Sequence, residues 1–566
     1  MDYFDHLMSH ANKFTSRIQL ARFRGYTPCE SCLGSGLGDV ARNVFLRDKT
    51  CADVLKMTVA EALSFFSAFD KNDITAAGAT TAWEETCARL QTLSDVGLDY
   101  LPLNRRTKTL SGGECQRLHL SCGLGRGLSD TLYVLDEPTA GLHTQDSQKL
   151  ISVMKSLKAL GNTLVVVEHD TDVIRAADHI IEMGPCGGEK GGYQIYTGNL
   201  EGLYQSDTPT GHYIQNDARL SLNATPKISK KKISIEHAVL HNLKDLSLSI
   251  PLNQIVVVAG ISGSGKSTLI HDVLFQSWQL DRSEPEDDRE TSEQEYDIHA
   301  KVLGLEQFDD VVMMQQGALG RSTRACVATM SSAFTEIRSL LSRQPRAKEL
   351  GFQPKWFSFN VEYGRCPECE GLGLKKIEMM FLNDLSIPCP VCGGKRFIPD
   401  VLSVTYNGKN ISDILDMTID EARVFFEKTS GITNPLSVLS SVGLGYIRLG
   451  QATSTLSGGE FQRLKLAGYL DHAKADNSKT LFIFDEPTVG LHMQDIECLE
   501  HALKRLTDTG GSVIIIEHNL DIIAHADHVI ELGPVGGPNG GKILFQGVPA
   551  ALSQCDTPTG RALRLR

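Results

Sequence analysis

Short, strongly apolar runs punctuate this chain, and several end in an acidic or glycine-rich turn. LYVL at 132–135, VVV at 165–167, VVV at 256–258, LFIF at 481–484 and III at 514–516 are each too short for a helix. Runs of that kind predict apolar strands. A different pattern covers ISIEHAVLHNLKDLSLSIP at 233–251, where alternating apolar and polar positions predict strands leading into the run at 256. No run approaches the roughly 18 apolar residues of a membrane span. The opening MDYFDHLMSHANKFTSR lacks the apolar centre of a signal peptide. The expectation is therefore no membrane association and a cytoplasmic location.

The runs recur in order. TLSGGECQRL at 109–118 returns as TLSGGEFQRL at 455–464, LYVLDEPTAGLH at 132–143 as LFIFDEPTVGLH at 481–492, and VVVEHD at 165–170 as IIIEHN at 514–519. Ser111 and Ser457 are 346 apart, Asp136 and Asp485 are 349 apart, and so are His169 and His518. Even DTPTG at 207–211 returns at 556–560. One domain is used twice. A glycine-rich loop, Gly260-x-x-x-x-Gly265-Lys266-Ser267-Thr268, belongs to the second copy, and its counterpart 349 residues earlier would fall before the first residue. The expectation is an N-terminally truncated chain whose first copy lacks such a loop and leaves a sheet edge unpaired.

Loops of that pattern cradle phosphates, because glycines let backbone N–H groups curl around an anion at a helix N-terminus. Gly260, Ser262, Gly263, Ser264, Gly265, Lys266, Ser267 and Thr268 are the candidate nucleotide-binding set, with Lys266 reaching the β- and γ-phosphates and Ser267 ligating Mg²⁺. Asp485 suits the Mg²⁺ shell, Glu486 is placed to polarise the attacking water, and His518 ends the next strand within reach of a γ-phosphate. Together with LSGGE these motifs closely resemble the ATP-binding-cassette superfamily. In that superfamily two cassettes pack head to tail, and each ATP lies between one phosphate loop and the other cassette's LSGGE. The resemblance implies that Ser111, Gly112 and Gly113 complete the site of the second copy. The opposite site would hold residues 456–460, Asp136, Glu137 and His169 but no phosphate loop, and is expected to be non-functional unless another chain supplies one.

Fourteen cysteines in a chain without a secretory signal suggest metal ligands or thiols rather than disulfides. Cys366-x-x-Cys369 and Cys389-x-x-Cys392 make two knuckles of a four-sulfur Zn²⁺ site. Cys29-x-x-Cys32 is a lone pair, read as half of a second such site. Cys51, Cys87, Cys115, Cys122, Cys186, Cys326, Cys498 and Cys555 are assigned no ligand role.

A zinc module between phosphate loop and LSGGE narrows the family. GLEQFDDVVMMQQGALGRSTRACVAT, KWFSFNVEYGRCPECEGLG, FRGYTPCESCLGS and ADVLKMTVAEALSFF resemble segments of the UvrA family over nearly the whole chain. That resemblance implies the damage-sensing ATPase of bacterial nucleotide excision repair, a homodimer that grips double-stranded DNA, damaged, and loads UvrB. Gln316 stands at the family's Q-loop glutamine, while Gln315 and Cys326 stand where Asp and Asn are usual. Arg321 and Arg324 fall in a GRxxR stretch suited to DNA or interdomain contact. The family's UvrB-binding and insertion domains lie upstream of the first LSGGE and do not fit here, so the chain alone is not expected to load UvrB.

The fold class expected is α/β: two tandem ABC-type ATPase domains (P-loop NTPase) with helical signature subdomains and a zinc module. The expected boundaries are 1–108 for a partial signature and zinc-module region, 109–204 for the rest of the first cassette, and 205–232 for a polar linker ending in Lys230–Lys232. Residues 233–280 would then start the second cassette, 281–455 form its signature subdomain and 456–566 its C-terminal part. The acidic stretch 281–297 reads as a solvated loop. The net charge of −13 leaves room for DNA only on a local basic face. Lys375, Lys376, Lys395 and Arg396, with Arg343, Arg346 and Lys348, are candidates for that face or for ordinary solvated charge. Two other readings remain at this point: a non-functional or split-gene fragment, and the ATPase subunit of a membrane transporter.

Overall fold

The computed structural model describes residues 29, 32 and 34–565, apart from 77, 108–109, 111, 126–128, 186, 189–190, 217–220, 226, 228, 283–298, 315–323, 378–384 and 473–478. The chain divides into two compact units, Met1–Ser94 with Leu98–Ser111, and Asp95–Gly97 with Gly112–Arg566.

The smaller unit is helical. Helices Cys51–Lys56 and Val59–Ser67 each open on a capping box, Thr50 with Asp53 and Thr58 with Glu61, which satisfies two orphan backbone donors at each start. Val59, Ala62 and Leu90 make its core, with Met57, Leu63, Phe66, Leu93 and Leu103 packed around them. The larger unit repeats this design. Asn410 with Asp413 and Thr418 with Glu421 cap Ile411–Asp416 and Ile419–Phe425. The second helix of each pair is pinned alike: Val59 N donates to Leu101 O and Ala60 N to Asp99 O, as Ile419 N does to Ile447 O and Asp420 N to Gly445 O. The internal repeat therefore extends upstream of its sequence motifs.

In the larger unit a six-stranded sheet runs Asp310–Met314, Thr480–Asp485, Ser512–Ile516, Ile255–Gly260, His528–Gly533, Lys542–Gly547. All neighbours are parallel except the last pair. Alternate residues serve two cores. Val256, Val258, Leu481, Ile483, Ile514, Ile516, Ile530 and Leu532 pack with an antiparallel sheet (His299–Leu303, Lys232–Val239, Leu246–Pro251) and with the helix Thr268–Phe275. Val257, Phe482, Phe484, Val513, Ile515 and Val529 face the larger core, which holds the helices around LSGGE. Burial of both faces is why these strands are continuous apolar runs.

The first copy is built differently at one place. Leu132–Asp136 pairs with Thr163–Val167, and Ile180–Gly184 with Tyr193–Gly198, in two separate sheets. Among the described residues no strand joins Thr163–Val167 to Ile180–Gly184, whereas in the second copy Ile255–Gly260 joins their counterparts. The consequence is large: Val134, Val167 and Ile181 are 66%, 55% and 61% exposed, while Ile483, Ile516 and Ile530 are 0%, 1% and 0% exposed. Among the described residues Thr163–Val167 therefore has a strand along one edge only, and exposed apolar side chains lie beside it. Within the stretch expected to be a linker, Pro209–Asn216 forms a helix, and Thr210 on it contacts His492 of the second copy.

Candidate nucleotide site between the two copies

The glycine-rich loop follows the central strand of the large sheet and opens the helix Thr268–Phe275. Its glycines answer to geometry. Gly260 and Gly265 have φ of +135° and +101°, and a Cβ at Gly260 would lie 2.1 Å from Leu532 O. Lys266 is buried, and its Nζ donates to Gly260 O at 2.9 Å and Ile261 O at 3.0 Å. Burial lowers its pKa to about 8, against the pull of Glu486 and Asp485. Ser264 is buried in the same loop, and Ser262 Oγ donates to Gly141 O, at 3.4 Å, from the first copy.

Asp485 ends its strand and lies 3.3 Å, Oδ2 to Nε2, from His271. Glu486 follows in a left-handed conformation, φ +47°, and its counterpart Glu137 has φ +45°. A non-glycine residue held there in both copies is over-determined by its surroundings, as at functional sites. Burial, then the charges of Asp485 and Glu517, raise the Glu486 carboxyl to about 7. His518 Nε2 lies 3.7 Å from Glu486 Oε1, and burial holds that imidazole well below its usual range. A buried neutral histidine beside a half-buried carboxyl near neutrality is an arrangement able to order and deprotonate a water.

Three contributors were not read from the sequence. Glu517 accepts from Thr488 N at 3.0 Å, Thr488 Oγ1, His518 N at 2.5 Å and Asn519 N at 2.9 Å, so it locks the acid turn to the histidine turn. Glu168 does the same for Thr139, His169 and Asp170 in the first copy. The glutamate before each histidine recurs in both EH pairs and could have been found there. The others are Gly141 and His143, in the first copy's GLH turn. A Cβ at Gly141 would lie 2.8 Å from Glu486 Oε2, and one at Gly490 would lie 3.5 Å from Glu137 Oε2. Each copy's acid thus faces the other copy's glycine. Gly112 and Gly113 open the helix Gly112–Gly125. Ser111, Gln315, Gln316, Arg321, Cys186 and the acidic stretch from 283 lie outside the described residues.

The four cysteines at 366, 369, 389 and 392 converge, with every sulfur within 4.8 Å of the others and Cys369 and Cys392 3.7 Å apart. Zn–S bonds of about 2.3 Å at tetrahedral angles require sulfurs about 3.8 Å apart, so this donor set fits one zinc ion. Among the described residues it is the only such group of three or more ligands. Cys29 and Cys32 stand as a pair.

No family model matches the chain. It is 44% identical over 552 residues to the UvrABC system protein A of Vibrio cholerae serotype O1, covering 97% of this chain and 58% of that protein. The Staphylococcus aureus (strain COL) UvrABC system protein A is 42% identical over 552 residues, 97% of this chain and 57% of that protein. The crystal structure of UvrA2 from Deinococcus radiodurans superposes with a TM-score of 0.87 at 36% identity, over 99% of this chain and 69% of that one. The chain belongs to the UvrA family. The fold is accordingly that of an ABC-type ATPase, and a transporter ATPase is not favoured by this membership. The chain spans about 58% of the length of these curated relatives. Among the described residues no helix is long and apolar enough to cross a membrane.

Some of the basic residues expected at a UvrA-type DNA face are used internally. Arg396 Nη2 donates to Gly450 O at 2.9 Å and its guanidinium lies over the Phe359 ring. Arg324 pairs with Glu370 at 2.6 Å, Lys375 with Glu368, and Arg346 with Glu349 at 2.9 Å. Arg343, Lys348 and Lys395 are exposed.

Proposed function

We propose that this chain is a DNA-binding ATPase of nucleotide excision repair, turning over ATP at one composite site. The observation that carries the reading is the meeting of a phosphate loop, a half-buried acid pair and a buried histidine from one copy with the GLH turn of the other. In this reading the loop N–H groups from Gly260 to Thr268, including those of Ser262, Gly263 and Ser264, and the Lys266 ammonium hold the phosphates. Ser267 and Asp485 hold Mg²⁺, which supplies positive charge for the phosphate oxygens. Glu486 accepts the proton of the attacking water, His518 orients toward the γ-phosphate, and Glu517 keeps both turns in register. Gln316 senses the metal and γ-phosphate, and Ser111, Gly112 and Gly113 donate from the first copy. Asp136, Glu137 and His169 face no phosphate loop among the described residues, and no turnover is proposed there.

Zn²⁺ on Cys366, Cys369, Cys389 and Cys392 has a structural role: it ties the two knuckles into one folded module. The partner is double-stranded, damaged DNA, recognised through phosphates and deformability rather than base sequence. The working form is a homodimer in the cytoplasm. UvrB is the protein partner implied by the family, and no seat for it is assigned on this chain.

Fluorescence anisotropy with a labelled duplex, with and without a bulky lesion, tests the DNA reading. Affinity is expected to fall steeply with salt, with a log–log slope near −0.9 per phosphate neutralised. Lys348→Glu and Lys395→Glu are each expected to reduce that slope by about one. Binding that ignores salt, or no binding at roughly 50 mM salt where phosphate contacts are strong, would contradict it.

A further inference from the structure

The GLH turn of the first copy ends in His143, whose ring is only 1% exposed. Its Nδ1 accepts from Gln145 N at 3.3 Å, as N-cap of the helix Thr144–Ala159, which leaves the proton on Nε2. That N–H faces across the boundary between copies, where Thr559 Oγ1 lies 3.3 Å away on the final helix Pro558–Leu565. Thr559 is itself fixed. Its backbone N donates to the buried Glu531 Oε1 at 2.7 Å, and Glu531 pairs with Ala259 beside the phosphate loop.

On its other side the His143 ring meets His518, with centroids 6.2 Å apart and planes at 77°. That edge-to-face arrangement is favourable. It also matters, because His518 Nδ1 is buried with no hydrogen-bond partner in the described structure. No bond on that side fixes the rotation of the His518 ring, so packing must. The repeat forms the same clasp in the opposite direction. His492 Nε2 lies 3.3 Å from Thr210 Oγ1, and Thr210 N donates to Glu182 Oε1 at 2.9 Å. One histidine–threonine contact could be incidental to packing. Two reciprocal ones, made by residues 349 apart in each position, are part of how the copies join.

We propose that His143 is a positioning residue: anchored on Thr559, it braces the His518 ring, and so the first copy sets the geometry of the second copy's hydrolytic pair. This rests on reading Glu486 and His518 as that pair. Burial and the neighbouring Lys266 and Arg561 charges lower the His143 pKa to about 3, which keeps the bracing ring neutral at working pH.

The test compares His143→Phe, His143→Gln and Thr559→Val in the full chain. His143→Phe and Thr559→Val are expected to lower kcat for ATP about tenfold with KM nearly unchanged. His143→Gln keeps an N–H donor near the place of Nε2 and is expected to recover most of kcat. Full kcat in Thr559→Val, or a parallel loss of kcat and KM that glutamine does not rescue, would overturn the proposal. A second readout holds whether or not ATP is hydrolysed. With ¹⁵N-labelled imidazoles, wild type should show His143 protonated at Nε2 and a single His518 environment. In Thr559→Val the His518 signal should broaden or split, and an unchanged signal there overturns the proposal. Absence of hydrolysis in wild type would instead strike the site reading alone.

Discussion

Glu486→Gln is expected to lower ATP turnover by about two to three orders of magnitude while leaving ATP bound, as loss of a positioned base does. The side chain sits where a base is useful. Its backbone is fixed by Glu486 N donating to Ile516 O at 2.9 Å, its φ is +47°, and its carboxylate lies against Gly141 of the first copy. Glutamine has the same shape, so binding by the loop 260–268 should survive while proton transfer does not. Glu137→Gln is the matched control. It has the same backbone geometry, with Glu137 N donating to Val167 O at 2.8 Å, yet no phosphate loop among the described residues opposes it. It should change turnover by less than about twofold, a few tenths of a kcal/mol. Single-turnover hydrolysis beside a filter assay for retained nucleotide separates binding from chemistry; equal losses in the two variants would contradict a single working site.

The second large effect is expected at the cysteine cluster. Cys366→Ser removes one of four thiolates, and zinc content should fall from about one ion per chain to near zero. Structural zinc contributes on the order of 10 kcal/mol to small modules, which is more than their packing supplies. The centre of this one is the sulfurs themselves, with backbone bonds Cys366 N to Arg396 O, Cys389 N to Gly373 O and Gly393 N to Cys389 O, 2.8–2.9 Å, at the ligand turns, and a short ladder of Leu374–Ile377 with Leu385–Pro388 joins the two knuckles. Hydrogen exchange across residues 364–397 should lose protection in the variant, while the sheet around Ile255–Gly260 keeps its own. Cys29→Ser should leave the zinc stoichiometry unchanged, because Cys29 and Cys32 have no further ligand gathered around them among the described residues. Zinc retained by Cys366→Ser would contradict the four-sulfur site.

Much of this was legible in local sequence, because the chemistry demands particular residues at fixed spacing. VVVAG followed by SGSGKST specifies a strand, a loop with φ > 0 glycines and a helix, and Gly260 and Gly265 adopt those angles. Two C-x-x-C knuckles specify a shared ion, and their sulfurs converge. What local sequence could not show was anything set by the partner of a surface. VVV at 165–167 has the same pattern as III at 514–516, yet Val165 is 49% exposed and Ile514 1%, since the pattern records a need for cover and not its presence. The 205–232 stretch reads as linker because it is polar and ends in a basic run; within it Pro209–Asn216 forms a helix whose Thr210 contacts Glu182 and, 282 residues away, His492. His143 and Gly141 likewise gain their significance only when Glu486 and His518, more than three hundred residues away, are folded against them.

The most direct measurement is steady-state ATP hydrolysis by the purified, zinc-loaded chain as duplex DNA is added, beside Lys266→Ala. If the account holds, wild type hydrolyses ATP, DNA changes the rate, and Lys266→Ala abolishes both. A folded, zinc-loaded chain that hydrolyses no ATP at any DNA concentration, or whose rate is untouched by DNA and by Lys266→Ala, would contradict it.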